Sequence, residues 1–217
     1  MPDKKALSDA AFSRDALTYD QSSKYSPLRA MYPLIVAEAL RSPFHAALDV
    51  GCGTGELLRL VHAERKTAKL YGVDLSEEMI SAARTKLGIA AELRVADSEK
   101  LPFKDSVFDL VTCTFSFHHY PSPRAVLREI RRVLSQQGKL IVADPSIFPP
   151  LRQVFNLLTP FSKDGAVRYY SRKEMNELAS SAGLRVVRWS KLNWHSYMLV
   201  ADRNVRKDAS NWSTVKP

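Results

Sequence analysis

The sequence AALDVGCGTGELLRLV, residues 46–61, passes from a short apolar run through three glycines into a segment with helical periodicity. Leu57, Leu58 and Val61 fall on one stripe of that segment. Glycines that follow a buried strand permit a tight strand-to-helix turn and let a ligand approach bare backbone beside a helix N-terminus. The stretch therefore predicts a strand, a glycine loop and a helix.

The alternation of β-rich runs with helical periods continues after this stretch. Further strands are predicted at residues 69–75, 92–97, 108–115, 139–144, 184–190 and 193–201. Two residues separate the last pair, so these strands are expected to run antiparallel, whereas the earlier ones alternate with helices. The predicted fold class is α/β: a Rossmann-like, doubly wound, seven-stranded sheet, mostly parallel, with an antiparallel C-terminal hairpin strand.

The length and composition fit a single domain. The 217 residues are 45% apolar and 25% charged, as in an ordinary globular protein. We expect residues 1–40 to form an N-terminal helical cap, 41–144 the ligand-binding core, and 145–170, with four prolines, an insertion that shapes a pocket. Residues 171–202 would hold the last helix and the strand hairpin, and 203–217 a polar tail.

Charge and cysteine usage limit the classes of protein that the chain can belong to. The net charge is +9, and residues 151–217 hold 12 basic and 5 acidic side chains. This surplus could attract an acidic substrate, a phospholipid surface or RNA, or be a solvated surface. The spacing of Cys52 and Cys113 disfavours a disulfide framework and predicts no metal site. No run is long enough to span a bilayer and the first residues lack a secretory signal, so a cytoplasmic location is expected.

The glycine loop by itself does not identify a ligand. Its spacing is G-x-G-x-G, and Glu56 stands where the dinucleotide fingerprint G-x-G-x-x-G has its third glycine. A carboxylate in the first helical turn would repel a pyrophosphate, which counts against NAD and FAD. The chain also lacks G-x-x-x-x-G-K-[ST], which counts against a nucleotide triphosphate.

Two aspartates follow the glycine loop at the ends of successive predicted strands. Asp74 ends the second strand, where a carboxylate can accept hydrogen bonds from both hydroxyls of a ribose. Asp97 ends the third strand and suits an exocyclic amine such as that of adenine. Each could instead cap a helix or form a turn, but together with the loop they offer contacts to an adenosine that carries no phosphate.

Five segments resemble the successive motifs of class I S-adenosylmethionine-dependent methyltransferases, in particular the small-molecule group that includes the ubiquinone/menaquinone-biosynthesis C-methyltransferases. They are LDVGCGTGELL (48–58), YGVDLSEEMI (71–80), RVADSEKLPF (94–103), FDLVTCTFSFHHY (108–120) and LREIRRVLSQQGKLIVAD (127–144). The resemblance implies S-adenosylmethionine as cofactor and S-adenosylhomocysteine as product. It implies a cofactor site formed by Tyr19, Asp49, Gly51, Cys52, Gly53, Gly55, Asp74, Leu75, Met79, Asp97, Ser98 and Phe115.

The resemblance also implies the reaction, an in-line displacement on an activated methyl group, in which the protein positions the acceptor and excludes water. A general base is needed only if the acceptor enters protonated. His118 and His119 follow the fourth strand and are the candidates for that role, although they could equally pack and cap a turn. Tyr19 would fold over the cofactor.

The expected acceptor is a small, partly apolar molecule held by residues 1–40, residues 145–170 and the loop around His118. One alternative keeps the chemistry but makes RNA the acceptor, through a basic patch formed by Arg168, Arg172, Lys173, Arg185, Arg188 and Lys191. Another is a non-catalytic fold relative that serves as a partner subunit. The sequence does not reveal the oligomeric state.

Overall fold

The computed structural model describes residues 3–203. The strands are β1 (Ala46–Val50), β2 (Lys69–Asp74), β3 (Ala91–Val95), β4 (Phe108–Thr114), β5 (Leu134–Pro145), β6 (Leu184–Asn193) and β7 (Ser196–Arg203). These seven strands of the described residues form one sheet in the order β3-β2-β1-β4-β5-β7-β6. The first five pair in parallel, and β7 runs antiparallel to both β5 and β6. The predicted fold class, including the C-terminal hairpin, is confirmed.

Helices cover both faces of this sheet. They are α1 (Lys4–Asp15), α2 (Ser26–Arg29), α3 (Tyr32–Ala39), α4 (Glu56–Glu64), α5 (Glu77–Leu87), α6 (Pro123–Val133), α7 (Leu151–Leu158) and α8 (Arg172–Ser181). The apolar stripes of α6 and α8 pack on one face, and those of α3, α4 and α5 on the other. Of the helices in residues 3–203, none is both long and apolar enough to cross a membrane.

Local signals fix where two of these helices begin. The Ser76 side chain accepts a hydrogen bond from the Met79 N–H at 3.1 Å and starts α5. Ser171 and Glu174 form a reciprocal capping box at the start of α8. The sequence predicts both N-caps, because each serine directly precedes a segment of helical periodicity.

The end of α6 differs from the sequence-based expectation. Helical spacing predicts that α6 continues towards Gly138, but it ends at Val133, and Leu134 begins β5. The chain entering β4 supplies the reason: the Ser106 N–H donates to the Arg132 carbonyl at 2.9 Å and the Val107 N–H to the Val133 carbonyl at 2.8 Å. These bonds draw the last turn of α6 onto the sheet.

The tail differs by one residue from the prediction. The predicted insertion, residues 145–170, contains α7, which the sequence did not indicate. Arg203 belongs to β7 and not to the predicted polar tail, because it pairs with Leu184. The rest of that tail, residues 204–217, lies outside the described residues.

The chain order of the sheet reverses between β1 and β4. At such a switch point the helices leave towards opposite faces, so a crevice opens at the carboxyl ends of the strands. The N-terminal helix α1 lies beside this crevice, with the Ser13 hydroxyl 2.9 Å from the Ser76 hydroxyl. The fold thus brings the described part of the N-terminal segment, residues 3–40, against the ends of β1, β2 and β4.

Candidate functional site

The loop that follows β1 is tied to the end of β2. The N–H groups of Gly51 and Cys52 both donate to the Val73 carbonyl, at 2.8 and 2.9 Å. Gly51 and Gly53 have φ angles of +72° and +52°, which glycine adopts without the steric cost that a Cβ adds. A Cβ added to Gly53 would find, among the described residues, only Met79 Sδ, at 4.0 Å. The loop therefore presents bare backbone to the crevice.

Asp74 joins this loop to α5. Its Oδ2 accepts from the Gly53 N–H at 2.8 Å, and its Oδ1 accepts from the Ser76 N–H at 3.0 Å. Burial raises the pKa of Asp74, and the hydrogen bonds from the backbone of Ser76 and Gly53 oppose that rise. Each carboxylate oxygen has a second lone pair, so Asp74 could also accept from two neighbouring hydroxyls.

Asp97 lies two residues beyond β3 and is held from two sides. Its Oδ1 accepts from the Glu99 N–H at 2.9 Å, and the Lys5 ammonium on α1 donates to its Oδ2 at 2.7 Å. Partial burial raises the pKa of Asp97, but the Lys5 and Glu99 contacts outweigh burial and leave the pKa below its ordinary value. No sequence pattern indicated Lys5, which adds a cation to the edge of the crevice.

Asp49 is a buried carboxyl in the middle of the sheet. The Thr112 hydroxyl on β4 donates to its Oδ1 at 2.7 Å, and 1% of the residue is exposed. Burial raises the pKa of Asp49 to about 7, although the Thr112 hydrogen bond lowers it. Asp49 lies behind the glycine loop and does not line the crevice.

His118 and His119 follow β4 and differ in their surroundings. His118 Nδ1 lies 2.8 Å from Oδ1 of the buried Asp144, at the end of β5. In the tautomer whose Nδ1–H donates to that carboxylate, Nε2 is unprotonated and can accept a proton. Nε2 has no hydrogen-bond partner within residues 3–203, and the His118 side chain is 10% exposed. His119 lines the crevice, edge-on to Phe12, and burial lowers its pKa, as does the neighbouring His118.

An ion cluster fastens the N-terminal segment to the glycine loop. The Lys86 ammonium lies 2.5 Å from Asp20 Oδ2 and 3.2 Å from Glu56 Oε2. The Thr54 hydroxyl donates to Asp20 Oδ1 at 2.8 Å. Salt bridges with Arg59 and Lys86 keep the pKa of Glu56 below its ordinary value, although burial opposes them. Glu56 is thus an ionised carboxylate at the start of α4, where a pyrophosphate would be repelled.

Tyr19 closes the crevice from the N-terminal side. Its ring stacks on Tyr25 with centroids 4.0 Å apart, and the Arg29 guanidinium donates to the Tyr19 carbonyl at 2.9 Å. Burial raises the pKa of the Tyr19 hydroxyl well above its ordinary value, so Tyr19 stays a neutral hydrogen-bonding group. This position is compatible with the covering role that the resemblance implied.

Most of the predicted site residues meet around one crevice. Its lining includes Tyr19, Gly51, Cys52, Gly53, Asp74, Leu75, Met79, Asp97, Ser98, Phe115 and His119. Three predicted residues, Asp49, Gly55 and His118, lie beside it without lining it. The lining also contains Glu56 and residues that the sequence did not single out, among them Lys5, Ser8, Phe12, Tyr32, Thr54 and Ser116.

Both cysteines are free, buried thiols: Cys52 lines this crevice, and Cys113 contacts Ser116, which lines it. Burial raises the pKa of Cys113 to about 12, although contacts with Ser116 and Tyr120 oppose that rise. Burial also raises the pKa of Cys52 well above its ordinary value. Both sulfurs are therefore uncharged at neutral pH and pack as apolar groups.

The comparison with known families assigns this arrangement. The family model described as "Methyltransferase domain" matches residues 48–142, the segment from β1 to β5 that carries the glycine loop, Asp74 and Asp97. This match and the relatives described below support a class I methyltransferase. It depends on S-adenosylmethionine, and the predicted cofactor and enzyme class are confirmed.

The methyltransferase has a curated relative and solved structural neighbours of similar size. The ubiquinone/menaquinone biosynthesis C-methyltransferase of Paraburkholderia phymatum is 29% identical over 189 residues, which are 76% of this chain and 77% of the relative. A structure of a SAM-dependent methyltransferase from Aquifex aeolicus has a TM-score of 0.66 at 22% identity, over 93% of this chain and 98% of the other. The Burkholderia thailandensis 1,6-didemethyltoxoflavin-N1-methyltransferase, solved with 1,6-didemethyltoxoflavin and S-adenosylhomocysteine, has a TM-score of 0.71 at 18% identity, over 91% and 88%. At these identities the two structures bear on the fold alone.

The crevice of the methyltransferase fits its cofactor on its own geometry. Bare backbone at Gly53 leaves room for a ligand, and Asp74 and Asp97 lie at the carboxyl ends of neighbouring strands. Carboxylates next to the crevice complement the positive charge of a sulfonium cofactor. The ionised Glu56 at the start of α4 disfavours a dinucleotide in the same place.

Proposed function

We propose that this methyltransferase transfers a methyl group to a small acceptor with an ionisable C–H, N–H or O–H, and that His118 removes the proton. The observation that carries the proposal is the 2.8 Å contact between His118 Nδ1 and the buried Asp144. A carboxylate on Nδ1 orients the ring and stabilises the imidazolium, so Nε2 can act as the base. His119 lines the crevice, whereas His118 lies beside it, but burial lowers the pKa of His119 and makes it the weaker base.

The cofactor residues keep the roles that the sequence predicted, and these roles are part of the proposal. Asp74 would accept from the ribose hydroxyls, and Asp97 with the Ser98 backbone would contact the adenine. The methionine part would follow the loop from Gly51 to Gly53, under Tyr19. S-adenosylmethionine supplies an electrophilic methyl group on a sulfonium; the chain's own residues hold the acceptor in line, exclude water and take up the proton.

The acceptor side of the site is aromatic. The His118 ring stacks on Tyr169 with centroids 5.4 Å apart, and Phe155 meets Tyr169 edge-on at 6.2 Å. We propose that residues 145–170 form the acceptor wall and that a ring compound binds against it. The P. phymatum relative is named for ubiquinone and menaquinone biosynthesis, so quinol-type and phenolic rings are the first acceptors to test.

RNA is disfavoured as the acceptor because the predicted basic patch is largely neutralised. Arg168 pairs with Glu174, Arg185 with Asp202 and Arg188 with Glu38. Arg172 lies over the Trp189 ring. These side chains are engaged within the fold and offer few free cations to a phosphate backbone.

A cytoplasmic location stays a prediction, which cell fractionation tests.

Cofactor binding is tested by calorimetric titration with S-adenosylmethionine and, separately, NADH. Hydrogen bonds to a charged group contribute about 1.5–3 kcal/mol each, so Asp74→Asn is expected to weaken cofactor binding by about ten- to a hundredfold. The matched control is Glu77→Gln, which removes an exposed carboxylate three residues away. Equal affinity of Asp74→Asn and Glu77→Gln would contradict the role of Asp74, and binding of NADH alone would contradict the cofactor.

The role of His118 is tested separately from cofactor binding. With methyl-labelled cofactor and a panel of phenols and quinols, His118→Gln is expected to lower kcat by about 10²- to 10⁴-fold while the cofactor Kd stays unchanged. Asp144→Asn is expected to lower kcat less. The loss in His118→Gln should shrink at a pH where the acceptor ionises by itself. An equal loss at every pH, or a changed cofactor Kd, would show that His118 only supports the fold.

A further inference from the structure

Helix α7 is attached to the protein by its polar side. The Asn156 side chain accepts from the Tyr169 N–H at 2.8 Å and donates to the Tyr169 carbonyl at 3.0 Å. One turn further, the Lys4 ammonium of α1 donates to the Thr159 carbonyl at 2.5 Å. Arg152, Asn156 and Thr159 are the least exposed residues between positions 151 and 161. A surface helix ordinarily turns an apolar stripe inward, whereas α7 turns polar residues inward.

The outward side of the same segment is apolar. We call it the α7 apolar face, and it consists of Phe148, Leu151, Phe155, Leu157, Leu158 and Phe161. Leu157 is 74% exposed and Phe161 80%. A contiguous exposed patch of large apolar side chains marks a surface that something covers.

Trp194 is a further exposed aromatic side chain near residues 145–170. It lies in the turn between β6 and β7 and is 93% exposed. The Ser146 N–H donates to the His195 carbonyl at 2.7 Å, which holds that turn against the start of residues 145–170. The turn and the α7 apolar face therefore flank the same stretch of backbone.

Two exposed lysines lie near these apolar groups. Lys163 follows Phe161 by two residues and is itself followed by the exposed Asp164, and Lys191 precedes Trp194 by three residues. Neither lysine forms an ion pair within residues 3–203, whereas Arg168, Arg185 and Arg188 are paired. Free cations beside exposed apolar side chains complement a surface that is anionic outside and apolar beneath.

We propose that the α7 apolar face and Trp194 dock on the surface of a bilayer that contains anionic lipid. A lipid surface accepts protruding side chains without a complementary shape, buries them to a depth of about 5–10 Å and attracts cations through its headgroups. Tryptophan suits the boundary between headgroups and hydrocarbon. The proposal does not depend on the acceptor or on His118, and it places the lipid surface against the Phe155 and Tyr169 side of the site.

The test is cosedimentation of the full chain with vesicles of phosphatidylcholine alone or of equal parts phosphatidylcholine and phosphatidylglycerol. We expect binding to the mixed vesicles, weakened at high salt, with a blue shift of the tryptophan emission that Trp194→Phe reduces. Leu157→Ser combined with Phe161→Ser should lower the bound fraction at least about tenfold, since two large apolar side chains are lost from the lipid contact.

The matched control is Ile89→Ser, which changes a fully exposed apolar residue just before β3, at the opposite edge of the sheet. All variants should keep the wild-type affinity for S-adenosylmethionine, which shows that they fold. Equal binding to both kinds of vesicle, or equal loss in Ile89→Ser, would overturn the proposal. So would concentration-dependent dimerisation that the double variant abolishes, because the occupant would then be a second copy of the chain.

Discussion

Asp49 connects the chemistry of one carboxyl group to the stability of the whole sheet. Its pKa of about 7 lies well above the value of about 3.9 that an aspartate has in an unfolded chain. Between about pH 4 and pH 7 the folded protein therefore holds a proton that the unfolded chain has lost. Stability falls as pH rises through this range, because the unfolded chain binds fewer protons than the folded protein and a rising pH favours the state with fewer bound protons.

Asp49→Asn is expected to remove this contribution. The free energy of unfolding of the wild type should fall by up to about 1.4 kcal/mol per pH unit relative to the variant between pH 4 and pH 7. Urea unfolding at several pH values measures the difference. Glu77→Gln, on the surface, serves as the control and should run parallel to the wild type. A constant offset between Asp49→Asn and the wild type would contradict the raised pKa.

At the scale of the elements, two glycines of one loop have different structural demands. A Cβ on Gly51 would lie 2.6 Å from Ser116 Oγ and 2.8 Å from the Tyr120 hydroxyl. A Cβ on Gly53 would meet no such obstacle among the described residues. Both have positive φ, so the two alanine variants share the backbone cost and differ in the collision and in their exposure to the crevice.

Gly53→Ala is expected to cost about 1 kcal/mol of stability, from backbone strain alone. It should nevertheless weaken S-adenosylmethionine binding, since the new methyl group projects into the crevice. Gly51→Ala is expected to cost at least about 1–3 kcal/mol more, from overpacking against Ser116 and Tyr120. Denaturant unfolding and calorimetry on both variants test this. Equal stability of the two would contradict the collision.

The elements that the sequence predicted well are those whose signals are local. Glycines follow the strand before Gly51, and Ser76 caps α5, so both boundaries lie where the sequence predicts them. The end of α6 has no such local signal, because Leu134 continues the helical spacing but pairs in the sheet with Phe108, which is distant in sequence. Helix α7 was missed for a related reason: its anchors are Asn156 and the backbone of Tyr169, and they leave no apolar period that faces inward.

The site shows the same division at the scale of the whole molecule. Asp74 and Asp97 could be predicted because strand carboxyl ends are fixed by the fold. Lys5 could not, since its contact with Asp97 joins residues 92 positions apart and depends on how α1 lies over the sheet. The pairing of His118 with Asp144 likewise needs β4 and β5 side by side, which a pattern within either strand does not reveal.

The N-terminal segment is held over the crevice by a few ion pairs, and partly exposed pairs of this kind each contribute about 1 kcal/mol or less. We therefore expect residues 5–25 to open more easily than the sheet. S-adenosylmethionine should slow hydrogen exchange in residues 5–25 and 51–55 and leave α6 unchanged. Hydrogen exchange with mass spectrometry measures this.

Lys86→Met, which breaks the contacts with Asp20 and Glu56, should raise exchange in residues 5–25 without cofactor and increase the cofactor's dissociation rate. Lys173→Met, which removes an exposed cation on α8, is the control. Unchanged exchange in Lys86→Met would show that the cluster does not hold the segment closed.

The two buried thiols make the folded chain nearly silent towards reagents that need a thiolate. Their raised pKa values and burial mean that a colorimetric disulfide reagent should react with both slowly, and with Cys113 only after the strand ends beside it separate. The rate of colour release thus reports how often the sheet opens, and this rate should fall as the concentration of bound ligand rises. A single cysteine introduced on the surface would be labelled against almost no background, so a fluorescent or paramagnetic probe could be placed at will.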